Sequence, residues 1–323
     1  MQVAVFGAGA IGGYLAAKLA LGGHDVALVA RGAALAAIRA QGLKLQDESG
    51  ERAVQLRAVE NAPELGPQPL VIIAVKTYAL AAAAPAIASL VGPESVILPA
   101  QNGIPWWFPY RAEAPLAGTQ IAAADRDGSV TRCLDPARVL GCVVQMAASV
   151  TAPGAVRRFG GNTLVLGEPD GSDSARLARI AALLQGAGIN VTATTRIRDA
   201  VWDKLWGNIA FNPMSVLTGA TMEGVAGDPD LRPILSAAMS ECQKVAERFG
   251  TRFGRSIETR IEEARRLGAF KTSMLQDFEN DRPLEIEALV DAVVELGRHV
   301  AVATPTLAAL GAMARLRAGL ARS

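Results

Sequence analysis

Three polar side chains recur at a regular spacing within an otherwise apolar stretch of the chain. Lys204, Asn208 and Asn212 lie four residues apart in the segment 202–213, whose other members are mostly Trp, Leu, Ile, Ala and Phe. A helix turns about 100° per residue, so the three side chains form one stripe that drifts only about 80°. An ammonium and two amides among such neighbours are costly to bury unless something pairs with them. The stripe is therefore a solvated face, a set of amides that cap neighbouring loops, or a site whose polar groups pair with a ligand.

The same segment contains two residues that shape its backbone. Pro213 is expected to end the helix, because the residue before a proline avoids the helical region. Gly207 lies about 60° to one side of Lys204. Without a side chain there, a ligand could approach the helix backbone closely.

Composition limits the classes of function. The chain has 323 residues, 50% of them hydrophobic, and a net charge of +1. This length supports two domains with real cores, and the absence of long single-sign runs argues against nucleic-acid or anionic-membrane partners. Three scattered cysteines and two histidines favour neither a disulfide framework nor a metal site.

The start of the chain and its apolar stretches bear on localisation. Residues 2–6 resemble a strand and leave no room for a signal peptide. The charge-free stretches 77–93 and 139–156 are interrupted by Pro or Gly, which favours buried core over membrane spans. The expected setting is the cytoplasm.

A glycine motif lies between two predicted strands. Residues 3–6 are wholly apolar, Gly7 to Gly12 follow, and an Ala- and Leu-rich helix leads to a second strand at 25–29. In this context the glycines permit a tight turn, close approach of a pyrophosphate and close helix–strand packing, and the helix N-terminus faces the phosphates. The alternative is a tight turn with no ligand. The predicted cofactor-binding residues are Gly7, Gly9, Ala10, Ile11 and Gly12.

The end of the second strand indicates which dinucleotide is bound. No Asp or Glu stands there to hold the ribose hydroxyls, and Arg31 can instead pair with a 2′-phosphate. A charge-assisted bond of about 1.5–3 kcal/mol would favour NADP over NAD by roughly 10- to 150-fold. The alternative is an exposed arginine in a loop.

Two more polar groups follow predicted parallel strands. Lys76 ends the apolar strand 70–75, and Asn102 follows the strand 95–99. Ligands bind at this edge of an open parallel sheet. Lys76 therefore either reaches the cofactor phosphates or ends its strand in water. Asn102 holds the nicotinamide or a substrate oxygen, or belongs to an ordinary Asn-Gly turn.

The run 104–110 contains four of the fifteen aromatic residues of the chain. It either walls off an apolar substrate or packs between domains or subunits, and the sequence favours neither.

The pattern of predicted elements changes near residue 195. Strands predicted at 118–123, 139–150, 155–159 and 163–166 are expected to complete the sheet, and a helix at 174–185 and a strand at 189–194 follow. Beyond them only helical periodicity remains. We therefore predict an α/β fold, with an N-terminal Rossmann dinucleotide-binding domain at residues 1–195 and an all-helical C-terminal domain at residues 196–323.

Two polar residues of the second domain also merit attention. Ser273 with Gln276 fits a helix capping box, and the same hydroxyl at a helix N-terminus suits a carboxylate. Pro283 is expected to start a helix that runs to about Val302. Glu285 lies on a different flank from the other acids of that helix, which indicates either a specific role or helix-start electrostatics.

Taken together, these motifs resemble the ketopantoate (2-dehydropantoate) reductase family over nearly the whole chain. The resemblance rests on the order and spacing of the glycine motif, Lys76, Gln101-Asn102-Gly103, the Lys204 helix, the segment 273–277 and Glu285. It implies NADPH-dependent reduction of a 2-oxo acid, in ketopantoate reductase the step to pantoate on the way to coenzyme A. It also implies a site in the cleft between a Rossmann domain and a helical domain.

The resemblance assigns roles to individual residues. Lys204 would be the general acid, Asn208 and Glu285 would bind polar groups of the substrate, and Ser273 would meet its carboxylate. Asn102 would lie between cofactor and substrate, and Asn212 fits a supporting role.

Departures from the family pattern concern the substrate. The aromatic run is not typical, and Met222 and Phe270 stand where well-known ketopantoate reductases have asparagines. One hypothesis is ketopantoate reduction, and a second is reduction of a bulkier, more apolar keto acid or ketone. A third, a non-catalytic NADP(H) sensor, fits poorly with the retained Lys204. The sequence leaves the oligomeric state open, a homodimer included.

Overall fold

The computed structural model describes residues 1–321, which form two compact units. The first unit comprises Met1–Gln101 and Ser129–Ile197, and the second comprises Asn102–Gly128 together with the chain from Arg198 onward. The segment 102–128, which the predicted division placed in the first domain, therefore packs with the helical part of the chain. Gln101 and Asn102 mark the first crossing from one unit to the other.

Ten strands form two sheets in the first unit. They are β1 (Gln2–Phe6), β2 (Asp25–Val29), β3 (Leu43–Asp47), β4 (Gly50–Val54), β5 (Arg57–Val59), β6 (Leu70–Ile73), β7 (Val96–Pro99), β8 (Gly141–Ala152), β9 (Ala155–Gly167) and β10 (Asn190–Ala193). The first sheet has the order β5-β2-β1-β6-β7, and all its strands are parallel. This is the predicted Rossmann arrangement, in which apolar strands are buried on both faces.

We had expected the later strands to complete that sheet, but they do not. They form a second sheet, in which β9 pairs with β8, β3 and β10. The first helix contacts strands of both sheets, so its apolar surface is covered from two sides. The two predicted strands at 155–159 and 163–166 are one long strand.

Within residues 1–321, twelve α-helices accompany the strands. They are α1 (Ala10–Leu21), α2 (Gly32–Gln41), α3 (Leu80–Ala88), α4 (Ser129–Cys133), α5 (Ala175–Gly186), α6 (Ile197–Thr218), α7 (Met222–Gly227), α8 (Arg232–Arg248), α9 (Ile257–Arg265), α10 (Ser273–Glu279), α11 (Ala292–His299) and α12 (Pro305–Leu320). Short 3₁₀ turns occupy Ala62–Leu65, Thr77–Ala79 and Pro136–Arg138, and a π-helical turn spans Glu287–Asp291. None of the helices within residues 1–321 is both long and apolar enough to cross a membrane.

Three predictions about elements of the second unit are wrong. The strand at 118–123 is absent, and the backbone N–H groups of Ala122 and Ala123 instead donate to the carboxylate of Glu295, at 2.7 and 2.9 Å. A side-chain carboxylate from a distant helix thus replaces the strand partner that the pattern called for.

Pro213 does not end its helix, because α6 runs on to Thr218. Proline removes one backbone hydrogen bond from a helix interior. Burial on both sides of the proline outweighs that loss, since Phe211, Met214 and Val216 are almost fully buried. Similarly, the helix expected to begin at Pro283 begins at Ile286 with the π-helical turn.

Candidate active site

The glycine motif of the first unit has the backbone geometry that dinucleotide binding requires. Gly7 follows β1 with a φ of +112°, a conformation that side chains disfavour. A Cβ at Gly12 would lie 2.0 Å from the carbonyl oxygen of Gly7 and 2.9 Å from Cβ of Ala74. These two glycines therefore close the turn and seat α1 against β6.

Gly9 differs from the other two glycines. A Cβ at this position would meet no atom within 4 Å, and the residue is exposed at the N-cap of α1. Packing does not explain its small size, whereas the approach of a ligand to the backbone does. Ala10 and Ile11 form the first turn of α1, where backbone N–H groups lack helical acceptors and attract anions. The residues present fit a pyrophosphate.

Arg31 and Lys76 follow neighbouring elements of the same parallel sheet. Arg31 is exposed, two residues beyond β2. Lys76 is half-buried and lies three residues beyond β6, where it precedes a 3₁₀ turn. Since β2 and β6 flank β1 as parallel partners, both cations follow the strand ends at which a ligand of this sheet would lie.

Gln101, two residues beyond β7, is bonded to the segment that follows β6. Its side-chain amide donates to the carbonyl oxygen of Val75 at 2.8 Å, one residue before Lys76. This bond fixes the chain at the point where it leaves the first unit. The next residue along the chain is Asn102, the first residue of the second unit.

In the second unit, Asn102 is bonded to the predicted acid. Nζ of Lys204 donates to Oδ1 of Asn102 at 2.5 Å, and both side chains are partly buried. Charge-assisted hydrogen bonds of this kind are short and strong. The bond orients the ammonium on one side and holds the amide on the other.

The loop that carries Asn102 is fixed on the π-helical turn. The backbone N–H of Ile104 donates to the carbonyl oxygen of Ala288 at 2.9 Å. Gly103 has a φ of +82°, and a Cβ there would lie 2.5 Å from that same oxygen. Glu285 is buried just before this turn, and its carbonyl oxygen accepts the N–H of Leu289. The structure thus brings Asn102, Lys204 and the Glu285 helix into one connected assembly.

The remaining amides of the α6 stripe differ in burial. Asn208 is half-buried. Asn212 is 2% exposed, and its Nδ2 has no hydrogen-bond partner among residues 1–321. A buried amide that lacks a partner costs stability, so Asn212 does not fit the interpretation of the stripe as a solvated face.

The segment around Ser273 is capped by a different residue from the one predicted. Oγ1 of Thr272 accepts the N–H of Leu275 at 3.1 Å and lies 2.6 Å from Oγ of Ser215 on α6. Thr272 is therefore the N-cap of α10, and the capping box predicted at Ser273 is wrong. Ser273 is the exposed first residue of the helix, so its hydroxyl is not needed to cap it.

The aromatic run at 104–110 is part of the core of the second unit. Trp107 is 1% exposed and Phe108 is fully buried. The ring of Phe108 meets that of Trp202 edge-on, with 5.9 Å between centroids, and Arg198 donates to the carbonyl oxygens of Phe108 and Tyr110 at 2.8 and 2.5 Å. The sequence left open a wall for an apolar substrate or packing between domains or subunits; these contacts are packing inside the second unit.

The sequence had suggested that a ligand could approach the backbone at Gly207, but this position is not open. The guanidinium of Arg260, from α9, occupies the space beside it: a Cβ at Gly207 would lie 2.5 Å from Nη2 of Arg260. Sequence reasoning missed Arg260 because no local pattern connects it with α6.

The two apolar departures from the family pattern lie side by side. The backbone N–H of Met222 donates to the carbonyl oxygen of Phe270 at 2.8 Å, and the Met222 side chain is buried. Within the described part of the chain, 1–321, no three His, Cys, Asp or Glu side chains are grouped as a metal site.

Comparisons with known proteins agree with this arrangement. Residues 3–171 match the family model described as ketopantoate reductase PanE/ApbA, and residues 196–318 match the model for its C-terminal part. A 2-dehydropantoate 2-reductase of Mesorhizobium japonicum is 44% identical over 316 residues, which cover 98% of this chain and 97% of that protein.

Solved structures extend the likeness to three dimensions. A Ralstonia solanacearum MolK2 protein, provisionally described as a ketopantoate reductase, superimposes with a TM-score of 0.95 at 43% identity, covering 99% of this chain and 98% of that one. A structure of D-mandelate dehydrogenase with NADH and anilino(oxo)acetate has a TM-score of 0.85 at 20% identity, covers the whole of both chains, and shares the fold. This chain belongs to the ketopantoate reductase PanE/ApbA family.

Proposed function

We propose that the protein is an NADPH-dependent reductase that converts 2-dehydropantoate, a 2-oxo acid, to pantoate, with Lys204 as the general acid. The observation that carries this proposal is the 2.5 Å bond between Nζ of Lys204 and Oδ1 of Asn102. It holds an ammonium beside the residue that directly follows the parallel-sheet unit. The full-length identity of 44% to a 2-dehydropantoate 2-reductase supports the choice of substrate.

The chemistry follows from the charge that develops during reduction. A reduced nicotinamide supplies a hydride to the ketone carbon of the substrate. Negative charge grows on the ketone oxygen, and the ammonium of Lys204 stabilises it and donates the proton that completes the hydroxyl. An ammonium carries three N–H bonds, and the bond that Asn102 accepts sets the direction of the others.

The first unit supplies the residues for the cofactor. Gly7, Gly9, Ala10, Ile11 and Gly12 would hold the pyrophosphate. Arg31, exposed just beyond β2, would pair with the 2′-phosphate that distinguishes NADP from NAD, and Lys76 would contact the phosphates. Open space at Gly9 supports this assignment, and no acidic residue competes for the ribose at the end of β2.

The second unit supplies the residues for the substrate. Asn208 and Glu285 would bind its polar groups, Ser273 its carboxylate, and Asn212 would support them. The partnerless Nδ2 of Asn212 supports this proposal. Residues 1–195 would thus bind the cofactor and residues 196–323 the substrate, except that Asn102 would act with the C-terminal part. The cytoplasmic setting and the homodimer stay predictions.

The test is oxidation of NADPH, followed at 340 nm, with ketopantoate and with a panel of bulkier aromatic and branched 2-oxo acids. The proposal expects saturable turnover with ketopantoate, and a higher kcat/KM for it than for any other acid of the panel. No turnover with ketopantoate, or a stronger preference for another acid, would refute the assignment of the substrate.

A second candidate is a reductase of the same reaction class for a bulkier, more apolar 2-oxo acid. Only the adjacent Met222 and Phe270 favour it. The aromatic run no longer does, because three of its four rings, those of Trp106, Trp107 and Phe108, are buried in the core of the second unit. The sensor hypothesis would require bound NADPH without turnover of any acid in the panel.

A further inference from the structure

Two arginines contact the part of α6 that carries Lys204. Arg255 lies just before α9, and Arg260 lies within it. Nη2 of Arg255 donates to Oδ2 of Asp203 at 3.0 Å. Arg260 lies against Gly207, where a Cβ would meet its Nη2 at 2.5 Å, Cζ at 3.0 Å and Nε at 3.2 Å. Glu263 joins the two, 3.2 Å from Nε of Arg255 and 3.9 Å from Nη1 of Arg260.

The contact at Gly207 lies within one turn of the predicted acid. Side chains three residues apart on a helix are neighbours, with about 5–6 Å between their Cβ atoms. Gly207 is three residues after Lys204 and one before Asn208. The edge of the guanidinium therefore rests on the backbone between two predicted site residues, and the absence of a side chain at Gly207 is what admits it.

The arrangement is not explained by stability. The Arg260 side chain is 19% exposed, and its Nε is buried without a hydrogen-bond partner in the described part of the chain. Burial lowers the pKa of the Arg260 guanidinium, and the charge of Arg255 adds to this effect, yet an arginine stays protonated. Asp203 and Glu263, the latter 3.9 Å away, favour the charged form and offset only part of this burial. An apolar side chain of similar size is often neutral or stabilising in place of a largely buried charge.

We propose that Arg260 is a positioning residue for Lys204. Seated on the backbone of Gly207, and with Arg255 holding Asp203, it fixes the turn of α6 that directs Nζ of Lys204 toward Asn102. This inference rests on the proposed role of Lys204 as the general acid. It predicts that activity falls without a loss of stability when the contact is removed.

The experiment compares Arg260→Met, Gly207→Ala and the double variant with the unaltered enzyme. Arg260→Met removes the guanidinium. Gly207→Ala displaces it at little cost, because the far end of a flexible side chain gives way, and alanine favours a helix more than glycine does. Each single variant is expected to lower kcat roughly 10- to 100-fold, with Tm unchanged or raised and both KM values within about twofold. Arg265→Met, on the same helix with a side chain 54% exposed, is the matched control and should leave kcat unchanged.

The double variant decides whether the two residues act through one contact. If they do, its kcat is no lower than that of the worse single variant. Multiplying effects, a Tm that falls together with kcat, or a rise in KM for the 2-oxo acid at constant kcat would each overturn the proposal. The kcat measurements use whichever 2-oxo acid of the panel the unaltered enzyme reduces best. If it reduces none, the proposed function fails, and the Tm values of the four proteins still decide the contact, since additive changes exclude it.

Discussion

Nζ of Lys204 donates to Oδ1 of Asn102 across 2.5 Å, although 102 residues separate the two along the chain. One partner belongs to a long helix, and the other directly follows the parallel-sheet unit. The bond therefore joins the predicted acid to the residue with which the chain first enters the second unit. The predictions below follow from this bond and from the residues that hold its two ends in place.

The contact between the Asn102 loop and Ala288 can be tested at Gly103. Gly103→Ala would place a methyl group 2.5 Å from the carbonyl oxygen of Ala288 and push the loop away from Lys204. We expect kcat to fall roughly 10- to 100-fold, as for a displacement of about 1 Å. Gly118→Ala is the matched control, because Gly118 also has a positive φ, of +70°, but open space around it. It should cost only about 1–2 kcal/mol of backbone strain and leave kcat intact. If Gly103→Ala and Gly118→Ala change kcat equally, the contact with Ala288 does not position Asn102.

The glycine motif can be divided into a packing role and a binding role. Gly12→Ala puts a methyl group 2.0 Å from the carbonyl oxygen of Gly7, so we expect a loss of about 1–3 kcal/mol or more in unfolding free energy. Gly9→Ala meets no atom within 4 Å and should leave Tm unchanged while raising the Kd for NADPH. Thermal melts and fluorescence titration with NADPH measure the two effects. A Gly9→Ala protein that binds NADPH normally would show that no phosphate approaches this backbone.

Cofactor choice is tested at Arg31. Removing its charge in Arg31→Ala should lower kcat/KM for NADPH by roughly 10- to 150-fold, the value of one charge-assisted hydrogen bond. The kcat/KM for NADH serves as the internal control and should stay constant, because NADH lacks the 2′-phosphate. A parallel fall for both cofactors would assign Arg31 to a general structural role.

Neighbouring hydroxyls at the start of α10 are expected to do different work. Thr272→Ala removes the N-cap and the contact with Ser215, at a cost of about 0.5–2 kcal/mol in unfolding free energy. Ser273→Ala removes an exposed hydroxyl that does not cap the helix, so Tm should not change while KM for the 2-oxo acid rises. Melting curves and steady-state kinetics on both proteins distinguish these roles. If Ser273→Ala leaves KM unchanged, Ser273 does not bind the carboxylate.

Local features of the site could be predicted from the sequence. The strand, glycine turn and helix around Gly9 are contiguous, so their geometry follows from residue type and order. The α6 stripe is likewise set by helical periodicity. Competition between local and distant contacts was harder to foresee: Thr272 caps α10 in place of Ser273, and packing carries α6 through Pro213.

Pairings over long sequence separations were beyond sequence reasoning. Spacing alone connects neither Lys204 with Asn102 nor Gly207 with Arg260. The aromatic run illustrates the same limit, because rings suited to lining a pocket are equally suited to a core. Its partner Trp202 lies far along the chain, and so does Phe249, which stacks on Trp202 with 6.3 Å between centroids.

The most direct test of the central claim is the kcat of Lys204→Ala with ketopantoate and saturating NADPH, measured beside Lys44→Ala, which changes an exposed lysine of β3. Removing a positioned general acid should lower kcat by about 10²–10⁴, with Tm and the Kd for NADPH unchanged, and Lys44→Ala should match the unaltered enzyme. A Lys204→Ala protein that keeps a kcat close to that of the unaltered enzyme would contradict the assignment of Lys204 as the acid.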